Sequence, residues 1–379
     1  MSLNMNRLIP LGWLLALLLT ACYPTRFALY QFSDIRDYRK FPAAPVATDS
    51  QAKPLVVAQS AALALPEAIR VKGKRLPWAE ALEASQTVAF LVLRGDSVLY
   101  ESYHNGYDSL SMVASFSMAK SYVGALVGIS LERGEIPGVD APIAPYFPES
   151  DSAELSGITV GHLLYMQSGL AFNESYYNPF VSDVGRYYYG GNVNRLIRKV
   201  KADPKRPPGQ RFRYISLDTQ LLGEILEQAT GQPLNVLLSE RLWQPLGCTQ
   251  SATWSMDSRR HQQIKAFAGL NATARDFARL GVLYLQNGKW QGQQVVPRAW
   301  VAETAGTCEG CKRYGYAHQW WQEGDEAYAA EGHLGQYVSV HPSADLVVVR
   351  LGKKYGGVDW EELFRNIADD NAGPLTDAR

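Results

Sequence analysis

Hydrophobic positions change their spacing several times along this chain, and each change predicts a different kind of element. Residues 87–93 and 97–103 are rich in Val, Leu, Phe and Tyr and flank the polar turn Arg94-Gly95-Asp96, which predicts a β-hairpin. After a Gly/Asp/Ser loop, the apolar residues of 117–133 come too densely for a one-sided helix. Val123, Leu126, Val127, Ile129 and Leu131 predict a buried helix that Gly134 ends. Residues 138–300 read as mainly helical, with clear helices over 159–167, 218–230 and 274–286, the last stopped by Asn287-Gly288. Strands return at 328–331, 337–341 and 346–351, and 359–368 closes as a helix. The order strands, helical insert, strands, helix predicts an α/β (α+β) fold. Its antiparallel sheet is built from both chain ends and flanked by helices, with a helical subdomain inserted.

The N-terminal pattern is of another kind. Arg7 precedes the apolar run 8–19, which is too short to span a bilayer comfortably and matches the h-region of a signal peptide. It ends in Leu19-Thr20-Ala21-Cys22, which resembles a bacterial lipobox. Residues 1–21 are read as a lipoprotein signal, Cys22 as its lipidated residue, and Tyr23 in the following position as favouring the outer membrane. Residues 23–41 carry Tyr23, Phe27, Tyr30, Phe32, Tyr38 and Phe41 and are expected to pack on the body. The Ala-, Pro-, Val- and Ser-rich 42–66 read as a spacer. The expected organisation is an anchor and spacer arm over 22–79, a main body over 80–370 and a tail over 371–379.

Composition narrows the possible functions. The 379 residues are 46% hydrophobic, ample for a large core. The 37 Lys plus Arg balance 37 Asp plus Glu without a long run of either sign, so nothing marks a nucleic-acid surface. In an exported protein, Cys308 and Cys311 could form a tight local disulfide, or one of them could reach Cys248. A zinc site would need further ligands nearby, and none is evident.

Three short motifs carry candidate chemistry. Ser117-Met118-Ala119-Lys120 opens the buried helix, with the lysine one turn after the serine on the same face. A helix N-terminus offers free N–H groups and partial positive charge. Burial beside it can bring a lysine from about 10.4 toward the neutral range where it acts as a base. A second Ser-x-x-Lys, Ser50 to Lys53, falls in the spacer, where nothing would bury or orient it. Tyr214-Ile215-Ser216 precedes a helix and can place two hydroxyls beside a nucleophile. His333-Leu334-Gly335-Gln336 lies between two strands, where the glycine allows close approach and the following N–H could serve an oxyanion. The aromatic Tyr176-Tyr177 and the stretch Arg186 to Gly191 read equally as pocket lining or as a packed surface loop.

Together, Ser117-x-x-Lys120, Tyr214-x-Ser216 and His333-x-Gly335 resemble the three signature elements of the serine β-lactamase and penicillin-binding-protein superfamily, in order and rough separation. The resemblance covers roughly 80–370 and includes the text at 158–170, 269–279 and 332–336. It looks closest to class C-like esterases and 6-aminohexanoate-dimer hydrolases. The resemblance implies a β-lactamase/transpeptidase-like fold and a serine hydrolase that works through an acyl-enzyme on an ester, amide or peptide bond of a small substrate. Ser117 would be the nucleophile, Lys120 its base, Tyr214 the proton shuttle and Ser216 its supporting hydroxyl. The N–H groups of Ser117 and Gln336 would form the oxyanion hole, and no metal or cofactor is required. Ser216 replaces the usual Asn, and His333-Leu334-Gly335 replaces Lys-Thr-Gly. A mostly neutral histidine then stands where a fixed charge would hold a substrate carboxylate. That points to small esters or amides over β-lactams. The alternatives are a peptidoglycan D,D-peptidase or weak β-lactamase, and a non-catalytic, lipid-anchored envelope binding protein.

Overall fold

The computed structural model describes residues 23–373 apart from 50–51, 59–62, 177–180, 307–314 and 325–326. The signal segment, Cys22, Ser50, Tyr177, Cys308 and Cys311 lie outside the described residues. Among the described residues, Cys248 is a free, buried thiol.

The central strand Thr87–Arg94 is buried along nearly its whole length. Leu91 and Leu93 turn into the larger core, while Phe90 and Val92 turn to the opposite face with Trp360 and Phe364. Period-two alternation therefore makes this strand the partition between two apolar layers. It pairs with Ser97–Tyr103 on one edge and Leu346–Gly352 on the other. The sheet continues through Gln336–His341, Ala327–Gly332, Trp320–Glu323 and Tyr316–Ala317, every one of these pairings antiparallel. Val56–Val57 adds an eighth, parallel strand beside Ser97–Tyr103. The sheet from both chain ends thus forms as expected. Helix Ala274–Leu285 covers one face so closely that a Cβ on Gly281 would come within 2.7 Å of Val338 and Val347. Helix Trp360–Asp370 covers the other face.

The helix Ala119–Glu132 is buried from Ala119 through Ser130, on all sides. Gly124 and Gly128 let it come against the His318 carbonyl and the Trp300 ring, where a Cβ would sit at 2.3 and 2.6 Å. It also packs on helix Ser216–Thr230, which brings the first two motifs together.

Two expectations change. The mainly helical reading of 138–300 missed a second, four-stranded sheet in the order Ala43–Val46, Ala252–Ser255, Leu270–Ala272, Val113–Ala114. Its strands are two to four residues long, too short to show a period of their own. The spacer reading of 42–66 fails in part for the same reason, because Ala43–Val46 pairs with Ala252–Ser255 and Val56–Val57 with the main sheet. The aromatic segment before it does pack on the body: helix Tyr23–Tyr30 lies against helix Asp183–Tyr189.

Candidate active site

The small sheet builds the floor of the site. Val113–Ala114 pairs with Asn271-Ala272, and the Ser115 N–H donates to the Leu270 carbonyl at 2.8 Å. The chain then makes one tight turn, Phe116–Met118, before the helix begins at Ala119. Phe116 holds φ +48, a left-handed conformation that an aromatic residue adopts at a cost of about 1–3 kcal/mol. The strained residue is the one before Ser117, and it fixes where the serine hydroxyl points.

Lys120, one turn later, is 1% exposed, and its Nζ reaches Ser117 Oγ at 2.9 Å, Ser216 Oγ at 3.2 Å and the Phe267 carbonyl at 2.9 Å. Burial depresses this lysine to about 8, against an opposing pull from the Glu174 charge. The protonated form is thereby disfavoured by roughly 3 kcal/mol. Ser216, the first residue of its helix, donates its hydroxyl proton to Glu174 Oε1 at 2.6 Å, and its N–H donates to Glu174 Oε2 at 2.8 Å. That commits Ser216 Oγ to accepting from Lys120, and the Phe267 carbonyl can only accept. Two of the three lysine positions are therefore N–H donors. When the amine is neutral, its lone pair is left facing Ser117.

Tyr214 completes the group. Its ring stacks on Trp321 at 5.2 Å between centroids and lies 5.0 Å from Lys120 Nζ. Burial, with the Glu174 charge adding to it, pushes the Tyr214 phenol well up, while the nearby Ser117 side chain acts to pull it down. It is held protonated, able to donate a proton but not to begin as the base. Environment thus separates an amine brought toward neutrality from a phenol kept protonated, an arrangement that an acyl-transfer centre could use.

The third motif is divided by the fold. Strand Ala327–Gly332 brings Gly332 against the nucleophile turn, where an added Cβ would lie 2.1 Å from the Ser115 carbonyl oxygen. His333 and Leu334 follow at the cavity wall. His333 stacks on Tyr176 at 5.5 Å and meets Phe116 edge-on, and burial pulls its imidazole down, keeping it neutral. Gly335 and Gln336 face elsewhere. Gly335 takes φ +81 beneath the Arg350 guanidinium. The Gln336 amide spans the Gly352 and His333 carbonyls at 2.6 and 3.1 Å, and neither residue lines the cavity. The close-approach glycine is Gly332, not Gly335. The expectation that Gln336 supplies the second oxyanion N–H does not match its placement, because Gln336 does not line the cavity and the backbone brought against the turn before Ser117 is that of Gly332, followed by the cavity-lining His333.

Two contributors escaped the sequence. Glu174 stands in an aromatic loop with no diagnostic spacing. It also accepts from Tyr176 Oη at 2.5 Å. Arg350 did leave a signal, as the lone charge inside the apolar run 346–351. It is fully buried and donates to the Leu334, Gly335, Ser85 and Lys354 carbonyls and to Thr87 Oγ1, so it holds the 333–335 turn in place. The aromatic stretch after Arg186 proves to be lining: Tyr188 and Tyr189 face a cavity of about 870 Å³, counted to its open mouth, that contains Ser117 and Ser216.

Known proteins resemble this chain in sequence and fold. The chain is 33% identical over 301 residues to a 6-aminohexanoate-dimer hydrolase of Paenarthrobacter ureafaciens, covering 73% of this chain and 75% of that protein. It is 27% identical to penicillin-binding protein 4 of Amycolatopsis lactamdurans over 69% of this chain and 78% of the other. A solved structure from Bacillus anthracis, assigned as a 6-aminohexanoate-dimer hydrolase, superposes with a TM-score of 0.77 at 24% identity, covering 91% and 92% of the two chains. The beta-lactamase family description matches residues 78–372. With these matches over the fold that assembles Ser117, Lys120 and Tyr214, the chain belongs to the beta-lactamase family of serine hydrolases.

Proposed function

We propose that Ser117 is the acylated nucleophile, Lys120 its base and Tyr214 the acid that protonates the leaving group. The observation that carries this reading is the orientation of Lys120. Two of its hydrogen bonds are committed by Phe267 and by the Ser216–Glu174 pair, and the remaining lone pair faces Ser117 Oγ at 2.9 Å.

Neutral Lys120 accepts the Ser117 proton as Oγ adds to the carbonyl carbon. The Ser117 N–H receives the developing oxyanion. For the second donor we propose His333 N–H in place of Gln336, because Gly332 admits that backbone to the turn. As the intermediate collapses, Tyr214 gives its proton to the departing alcohol or amine and regains one from Lys120. Water then adds to the acyl-enzyme with the proton transfers reversed, releasing the acid and restoring Ser117.

Among the described residues, no lysine or arginine lines the cavity, and His333 is neutral. A terminal D-Ala carboxylate would find no cation there, which favours uncharged esters and amides over D,D-peptidase substrates. The assembled catalytic group argues against the non-catalytic binding protein. At the N-terminus we retain cleavage before Cys22, its lipidation and an outer-membrane location, on the strength of the Leu19-Thr20-Ala21-Cys22 text alone. Cys22→Ala should release the protein from the membrane fraction.

The deciding experiment is fluorophosphonate labelling read by intact mass. One adduct, absent in Ser117→Ala together with p-nitrophenyl ester hydrolysis, is expected. Undiminished labelling or hydrolysis in that variant would remove the assignment.

A further inference from the structure

The cavity beside Ser117 is walled by more than the catalytic module. Phe116, Val184, Tyr188 and Tyr189 line it from the body, while Phe27 and Phe32 line it from the N-terminal segment, some fifty residues ahead of the family match at 78–372. That segment is held in place. Arg26 is buried and donates to the Asp257 carbonyl at 2.7 Å, and Phe27 packs edge-on against Tyr189 at 5.2 Å. Phe41 meets Tyr188 the same way, and the Tyr188 hydroxyl is taken up by buried Asp37 at 2.6 Å. With its hydroxyl engaged, Tyr188 offers the cavity chiefly its ring. The serine at the base of this wall, Ser182, uses its hydroxyl to cap helix Asp183–Tyr189. Ser33, Ser175, Ser216 and His333 also line the chamber, but most of its wall beside Ser117 is ring and aliphatic carbon and none of it is charged, which suits an uncharged apolar group.

Which half of the substrate fills it follows from the proton donor. The leaving group must depart toward Tyr214, and Tyr214 is not among the residues lining the chamber. The acyl half remains. We propose that the N-terminal segment completes an acyl pocket, so that the preferred substrates carry a hydrophobic, medium-length acyl group on a small alcohol or amine. This rests on Ser117 being the acylated residue. Binding energy from such a chain raises kcat/KM only if the chain is buried on the way to the transition state.

A pair of isomeric esters tests it on the full chain. Ethyl octanoate and octyl acetate contain the same atoms, with the long chain on the acyl or the alcohol side. The expected result is a kcat/KM at least tenfold higher for ethyl octanoate. In Phe27→Ala, the ratio of p-nitrophenyl octanoate to acetate hydrolysis should fall at least fivefold, and Val184→Trp, which fills the chamber from the body side, should lower the same ratio. Because each readout is a ratio within one preparation, a fraction of misfolded protein does not move it. Equal rates on the two isomers, a preference for octyl acetate, or an unchanged ratio in both variants would overturn the acyl pocket. If hydrolysis of both esters survives in Ser117→Ala, the nucleophile assignment fails instead, so the two failures are distinct.

Discussion

Two buried lysines meet at one short loop and behave as opposites: Lys265 belongs to it, and Lys120 reaches its Phe267 carbonyl at 2.9 Å. Lys120 and Lys265 are both essentially without solvent exposure, and burial pulls both below the ordinary lysine range. Lys120 has three hydrogen-bond partners, among them the carbonyl of Phe267, two residues after Lys265. Lys265 Nζ has no hydrogen-bond partner among the described residues. It sits 3.1 Å from the centroid of the Phe41 ring and 5.2 Å from that of Tyr188, with the positive charge of Arg26 adding to its depression. Desolvation alone therefore makes a neutral amine but not a base. What distinguishes Lys120 is that its neighbours dictate where its protons go and leave its lone pair against a hydroxyl open to the cavity.

The comparison breaks if the two sites respond alike. Lys120→Met should lower kcat/KM by about 10³-fold, the scale set by losing a base that activates a nucleophile, whereas a loss of less than tenfold would mean another group takes the proton. Activity should also fall about tenfold per pH unit below an acid limb near 8, where Lys120 takes up the proton that disables it, and level off above. A limb near 6 would instead implicate an imidazole.

Glu174→Gln sharpens the contrast because its two effects oppose each other in the activity at acid pH. Removing the charge that supports protonated Lys120 shifts the limb to lower pH. Freeing Ser216 Oγ from its acceptor role lowers the plateau by roughly tenfold, the worth of one charge-assisted hydrogen bond. Lys265→Met should change kcat/KM least, within about threefold, while raising stability by roughly 1–3 kcal/mol as an unpartnered buried amine is replaced by an apolar chain. The sign follows from proton counting. The unfolded chain binds a proton at Lys265 that the native state does not, so wild-type stability falls as pH drops below the unfolded lysine value, and the variant gains most at low pH. Thermal melts across pH check this, and a variant less stable than wild type at neutral pH would show that Lys265 is held charged.

Legibility tracked distance along the chain. Ser117 and Lys120 are three residues apart on one turn, so local helix geometry placed them. The long strands announced themselves by alternation and density, and the sheet from both ends formed as read. Short strands did not: Ala43–Val46 and Leu270–Ala272 are recognisable only by their partners. Glu174, 42 residues from Ser216, has no spacing rule linking it to the serine it orients. The His333 motif was found but misassigned within itself, because only the packing of strand Ala327–Gly332 against Ser115 decides which glycine makes the close approach.

Residue type and chain order were enough to establish the mixed fold, the pairing of Ser117 with Lys120 on one turn and the absence of a fixed cation in the third motif, since each depends on near neighbours or on residue chemistry. The three-dimensional arrangement alone decided which buried lysine has hydrogen-bond partners, which glycine packs against the turn before Ser117, and that an N-terminal segment walls the chamber. Those properties are set by desolvation and by contacts between residues far apart in the chain, which no local pattern encodes.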